Sequence, residues 1–163
     1  MNAKDALLQS FNMGDMIVGA YLADLSDSDL LIRPIEGQNH IAWQLGHLIS
    51  TERAMVEGIK PGSSPSLPEG LEEAHNREAA AIDDPSKFLP KQRYLDLGKA
   101  QRAATLSVLE SLGDADLDAP SPERVRKMAP TVGATFGLLG HHVLMHVGQF
   151  VSVRRKLKKP VSI

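Results

Sequence analysis

Apolar residues recur every three to four positions in four stretches of this chain, and no stretch shows the two-residue alternation of a half-buried strand. The first runs from about Ala3 to Leu25, with Leu8, Phe11, Val18, Leu22 and Leu25 on one face. The turn-forming Ser26–Asp29 run (SDSD) ends it. The second begins at Asn39, the expected N-cap, and stops at Gly58; Ile41, Leu45, Leu48 and Met55 form its apolar stripe, with His40, Trp43 and His47 along an adjoining edge. The stretch from Gly58 to about Pro85 holds Pro61, Pro65, Pro68 and three glycines, Gly58 included, so only a short helix over Leu71–Ala81 is expected there. The third stretch runs from about Ser86 to Leu112, with Pro90 in its first turn and Tyr94, Leu97, Ala104, Val108 and Leu112 inward. A polar, proline-bearing connection spans Gly113 to Pro130. The fourth stretch starts at Thr131 as N-cap and runs to about Lys158, before Pro160.

Four amphipathic helices without strands predict an all-α fold, most simply a four-helix bundle formed by one domain over residues 1–163. A helix of about 19 residues is roughly 28 Å long at 1.5 Å per residue. A connection of about 28 residues spans that length easily, so the second and third helices need not form a tight hairpin.

Composition narrows the function. Hydrophobic residues make up 42% and charged residues 23%, with a net charge of −2, which argues against broad affinity for nucleic acid or membranes. The basic run Arg154–Lys159 reads as a solvated helix end whose cations offset the helix dipole, ahead of a phosphate-binding patch. No apolar run approaches the roughly 18 residues of a membrane helix, and the first residues lack a secretory layout, so a cytoplasmic location is expected. The sequence has no cysteine, which removes disulfides, thiolate ligands and a cysteine nucleophile.

The remaining chemistry rests on histidines. His142 and His146 are four apart in the apolar run LLGHHVLMHVGQF, so both rings share one helix face. Burying two bare imidazoles is costly unless their nitrogens find partners, and a metal ion would supply one. His47 lies near the middle of its helix, as the pair does in the fourth, so all three reach similar depth in a bundle. Three neutral imidazoles with positions left open describe a catalytic rather than a structural metal site. Zinc, nickel, iron and cobalt all suit nitrogen ligands, and the bound water would be nucleophilic at neutral pH. The metalloprotease motif is absent, because no glutamate follows His142. The competing reading is a non-catalytic helical bundle, a dimeric scaffold or binding protein whose histidines are satisfied by hydrogen bonds.

Other polar residues are placed as follows by their positions along the helices and connections. His141 is expected at the helix edge, and His75, in the punctuated connection, in solvent. His40 caps its helix or lies exposed, unless it lines a pocket mouth. Trp43 belongs to the core or walls the site. Asp15 is expected as a water-facing break in the first helix, the alternative being a carboxylate that reaches the metal centre. Gln149 either hydrogen-bonds a ligand histidine or packs. Neither Asp15 nor Glu52 stands out as a catalytic base, which stays unassigned.

With these residues in place, the chain resembles the DinB/YfiT-like superfamily of metal-dependent enzymes over nearly its whole length. The resemblance rests on NHIAWQLGHLISTE around His47, on PTVGATFGLLGHHVLMHVGQF around His142 and His146, and on the closing RRKLKKP. It implies a four-helix bundle of up-down-down-up topology with a long crossover between the second and third helices. It also implies a divalent metal, zinc or nickel first, on His47, His142 and His146, a cleft at one end of the bundle, and a homodimer. Val147 departs from the family, many of whose members carry arginine after the last histidine. Characterised members include thiol-dependent transferases and isomerases that use bacillithiol or mycothiol. The expectation is therefore a small-molecule substrate attacked by water or by an external low-molecular-weight thiol, with the thiol slightly favoured.

Overall fold

The computed structural model describes residues 1–161. Among the described residues there are six α-helices: α1 (Ala3–Leu22), α2 (Ile41–Ile59), α3 (Leu71–Ala74), α4 (Lys91–Ser111), α5 (Asp114–Asp118) and α6 (Val132–Lys156). Among the described residues there is no strand, only an isolated bridge between Pro120 and Thr131. None of these helices is long and apolar enough to cross a membrane.

Side-chain contacts give the direction of each long helix. α1 and α6 run parallel: Gly14 lies against Val143, Gly140 against Ser10, and Arg154 Nη1 donates to Tyr21 C=O at 2.7 Å. α2 and α4 are also parallel, with Ile49 beside Gly98, the Thr105 hydroxyl 2.6 Å from Glu52 and Lys60 3.2 Å from Ser111. α1 opposes α4, because Lys4 reaches Glu110 C=O while Lys91 reaches Leu22 C=O. α2 opposes α6, because Gln44 meets His146 while Gln38 meets Ser152. The bundle is therefore up-down-down-up. Two parallel consecutive helices require a crossover as long as the bundle, and residues 60–90 supply it.

Two apolar clusters fill the interior. Leu22, Leu45, Ile49, Val147 and Phe150 centre one; Phe11, Val56, Leu109, Phe136 and Leu139 centre the other. The predicted Leu8 is 36% exposed, and the neighbouring Leu7 packs inward instead.

Several boundaries differ from the expected ones. Asn2 caps α1 through a reciprocal pair with Asp5. That helix ends at Leu22, and Leu25 is buried from the following turn. His40, not Asn39, caps α2: its Nδ1 accepts the Trp43 N–H at 3.0 Å. The segment expected as one short helix divides into α3 and a 3₁₀ turn at Glu78–Ala81. α4 starts at Lys91 because Pro90 is its N-cap, and Pro85–Lys87 forms a separate 3₁₀ turn. Thr131 caps α6 as expected, accepting from Ala134 N–H at 3.2 Å, but the helix ends at Lys156. Nor is the basic tail wholly solvated. Arg154 is 3% exposed and its Nη1 binds Asp24 at 2.6 Å, while Lys159 donates to Asp24 C=O, so together they fasten the end of α6 to the end of α1.

Candidate metal centre

The antiparallel pairing of α2 and α6 brings His47 to His142 and His146. A nitrogen from each ring can be chosen so that all three lie within 4.8 Å of one another. His142 Nε2 and His146 Nε2 are 3.1 Å apart, and the His47 ring centroid is 5.3 Å from each of the other two. Two nitrogens bound to one tetrahedral zinc at 2.0–2.1 Å would stand about 3.3 Å apart, so the spacing of the α6 pair already matches shared ligation.

The surroundings fix which nitrogens are available. His146 Nδ1 lies 2.9 Å from Gln44 Oε1. The Gln44 amide donates its Nε2–H to Asn39 C=O at 2.8 Å, which turns its oxygen toward the histidine. His146 Nδ1 therefore carries the proton and donates it to Gln44, leaving the Nε2 lone pair toward His142. Such outer hydrogen bonds set tautomer and ring orientation in metal-binding histidines. The His47 ring stacks on Trp43, with centroids 4.7 Å apart and planes 8° from parallel. Trp43 is itself buried, and its indole N–H donates to Asn76 C=O at 3.0 Å. It thus serves both as core and as a wall of the cluster.

Burial favours the uncharged rings that a metal needs. Desolvation, with His47 nearby, lowers His142 to about 4. Desolvation, with His142 and His47 nearby, lowers His146 to about 3. His47 is lowered too, mainly by burial. His47 and His142 are partly exposed while His146 is buried, so a small molecule can approach the cluster from one side.

Other candidates fall elsewhere. His75 is not solvated but 1% exposed: Nδ1–H donates to Leu71 C=O at 2.7 Å and Nε2 accepts from the Tyr94 hydroxyl at 2.7 Å. A Cβ on Gly46 would stand 2.1 Å from the His75 ring, so only glycine lets α3 lie this close to α2. His40 is fully buried, not exposed, and besides capping α2 it donates from Nε2 to Ile82 C=O at 3.2 Å. His141 is exposed at the helix edge. Asp15 is half-exposed and faces Arg102 at 3.4 Å, not the histidines. Glu52 is buried in contact with Arg102 and Thr105. Gln149 contributes its backbone C=O to Gln38 and Ser152; the amide that holds a histidine is Gln44, which the sequence did not single out. Val147 is buried in the core, so no cation occupies the place after His146.

A family model described as the DinB superfamily matches residues 16–150. Among solved structures the fold is similar to that of YfiT from Bacillus subtilis, described as a probable metal-dependent hydrolase with an unusual four-helix bundle topology. That similarity has a TM-score of 0.65 at 16% sequence identity and covers 96% of this chain and 89% of that one. Among curated proteins none matches at a significant level.

Proposed function

The chain belongs to the DinB superfamily, and from that premise we propose that it is a metal-dependent enzyme in which His47, His142 and His146 hold a divalent transition ion, zinc or nickel. The observation that carries this reading is the convergence of three largely uncharged rings from two antiparallel helices. An ion held there supplies acidification of a small ligand, water or thiol, into a nucleophile at neutral pH. The protein's own residues do the positioning. Gln44 orients His146, while Trp43 covers one face of the His47 ring. The substrate is a small electrophile reaching the partly exposed side of the cluster. The description of YfiT as a probable hydrolase speaks for water as the nucleophile. A thiol would have to come from outside, because this chain has no cysteine. The homodimer implied by the family resemblance belongs to the same proposal, and light scattering tests it.

Metal analysis of untagged protein, followed by thermal melts with added zinc or nickel, tests the reading. Ion at about a hundredfold over its Kd adds about 2.7 kcal/mol to the folded state, which shifts Tm by roughly 5–11 °C for a chain of this size. His146→Ala should keep its helicity and lose that shift. A wild-type melt that ignores both ions, with less than about half an equivalent bound, would refute the enzyme and leave a helical scaffold. Water and thiol are separated by a panel of activated esters and epoxides assayed with and without small thiols.

A further inference from the structure

His40 is fully buried at the N-terminus of α2, and both of its ring nitrogens are engaged. Nδ1 accepts the Trp43 N–H at 3.0 Å, and Nε2–H donates to Ile82 C=O at 3.2 Å. One neutral tautomer satisfies both bonds, which is what lets an imidazole sit in a protein interior. The ring thereby joins two segments. On one side is the first turn of α2, where the Gln44 N–H donates to His40 C=O at 3.2 Å and the Gln44 side chain donates to Asn39 C=O at 2.8 Å. On the other is Ile82, which ends the 3₁₀ turn of the crossover. The first turn of α2 carries both supports of the histidine cluster, because Trp43 stacks on His47 and Gln44 bonds His146.

A proton on Nδ1 breaks this arrangement. The ring then has two donors and no acceptor, so the Trp43 N–H faces another N–H. The new charge also lies at the positive end of the α2 dipole. Its surroundings give it little relief. Arg33 is a second cation nearby, and Asp83 is already paired with it at 2.6 Å. The Phe88 ring lies against both His40 and His75, with centroids 4.4 and 5.6 Å away, and His75 has its own nitrogens taken by Leu71 and Tyr94. Burial lowers His40 below the ordinary imidazole value; the Ile82 bond and Asp83 oppose the shift, while Arg33 adds to it. A ring lowered in this way favours the opened turn, in which it is free to protonate, as pH falls below about 6.5. Arg33 also donates to the Ala80 and Ile82 carbonyls at 2.8 and 3.2 Å, and it keeps its charge at every such pH. The crossover is therefore retained, and the part set free is the first turn of α2.

We infer that His40 is an acid-sensitive latch on the histidine cluster: the neutral ring fixes the turn that presents Trp43 and Gln44, and the protonated ring leaves its pocket and lets that turn fray. A proton taken up outside the cluster thus loosens both of its supports. That the cluster is a metal centre rests on the function proposed above. The latch operates in metal-free protein, so its failure and the failure of that reading are separate outcomes.

Amide hydrogen exchange by NMR on metal-free protein at pH 7 and pH 5, corrected for the intrinsic pH dependence of exchange, tests the latch. Protection at Trp43 should fall roughly tenfold more than at Val108 and Leu109 in the middle of α4. His40→Asn keeps a side chain that accepts the Trp43 N–H but does not titrate, while the other histidines still do, so it should show no such excess. An equal excess in His40→Asn, or none in the wild type, would overturn the latch. Should that variant fold poorly, nitrogen NMR of the wild-type His40 ring decides the matter. The expected result is an Nε2–H tautomer at pH 7 whose protonation follows the loss at Trp43. A ring protonated at pH 5 with Trp43 still protected would overturn the inference.

Discussion

Replacing Gln44 by leucine tests whether the histidine cluster is held for metal or merely packed. Gln44 is fully buried and bridges Asn39 C=O at 2.8 Å and His146 Nδ1 at 2.9 Å. Leucine has nearly the same volume, so packing is kept and the two hydrogen bonds are lost. Each buried group left without a partner costs about 1–3 kcal/mol. The metal-free protein should therefore melt lower while keeping its helical spectrum. The ion-binding effect is separate: without the Gln44 oxygen the His146 proton is no longer confined to Nδ1, and the ring is free to rotate. Loss of such an outer partner weakens metal binding about 10–100-fold, or roughly 1.4–2.7 kcal/mol. Competition against a chromophoric chelator measures this directly. Gln44→Glu is the informative counterpart, because a carboxylate still accepts from His146 Nδ1 but cannot donate to Asn39. It should bind ion within about threefold of wild type or more tightly, while unfolding more easily. Zinc affinity in Gln44→Leu equal to wild type would refute the orienting role.

Three further outcomes are expected. Gly46→Ala should destabilise by about 1–3 kcal/mol in chemical denaturation, despite the better helix propensity of alanine, because its Cβ would collide with the clamped His75 ring; a neutral or stabilising result would mean that α3 moves freely. Tyr94→Phe should cost a similar amount, since His75 Nε2 and the Leu89 N–H both lose the phenol oxygen, and a change below about 0.5 kcal/mol would contradict those bonds. Metal-free protein should lose stability as pH falls from 6.5 toward 4. Above 6.5 the histidines are neutral in both states, and below it the unfolded chain takes up protons that His142 and His146, at about 4 and about 3 when folded, refuse. Glu52, raised by burial, works the other way in this window, so the diagnostic comparison is a shallower pH dependence in His146→Ala; identical slopes would refute it.

The bundle was readable because its long helices bury one face each, and a three-to-four-residue apolar period survives any uncertainty about their ends. The ends were harder to place, for a physical reason. The cap of α2 is an imidazole accepting a backbone N–H, a role ordinarily taken by serine, threonine, aspartate or asparagine, so Asn39 was the natural expectation and His40 the actual residue. The α1 stripe was misjudged by one position at Leu8, where a single turn leaves both Leu7 and Leu8 compatible with the core face.

The ligand candidates were legible for a different reason: His142 and His146 declare their common face through spacing alone, and His47 declares its depth through helix length. Their supports carry no such local sign. Gln44 meets His146 across 102 positions of sequence, a pairing that only the antiparallel packing of α2 on α6 creates. His75 was expected in solvent because prolines and glycines surround it, yet those residues let the crossover turn back onto α2. The one local clue was Gly46, which gives up helix propensity in the middle of a buried helix. The missing Cβ admits the His75 ring. Gly46 directly precedes His47, so a substitution that fills the gap should disturb the orientation of His47 as well as the packing of α3.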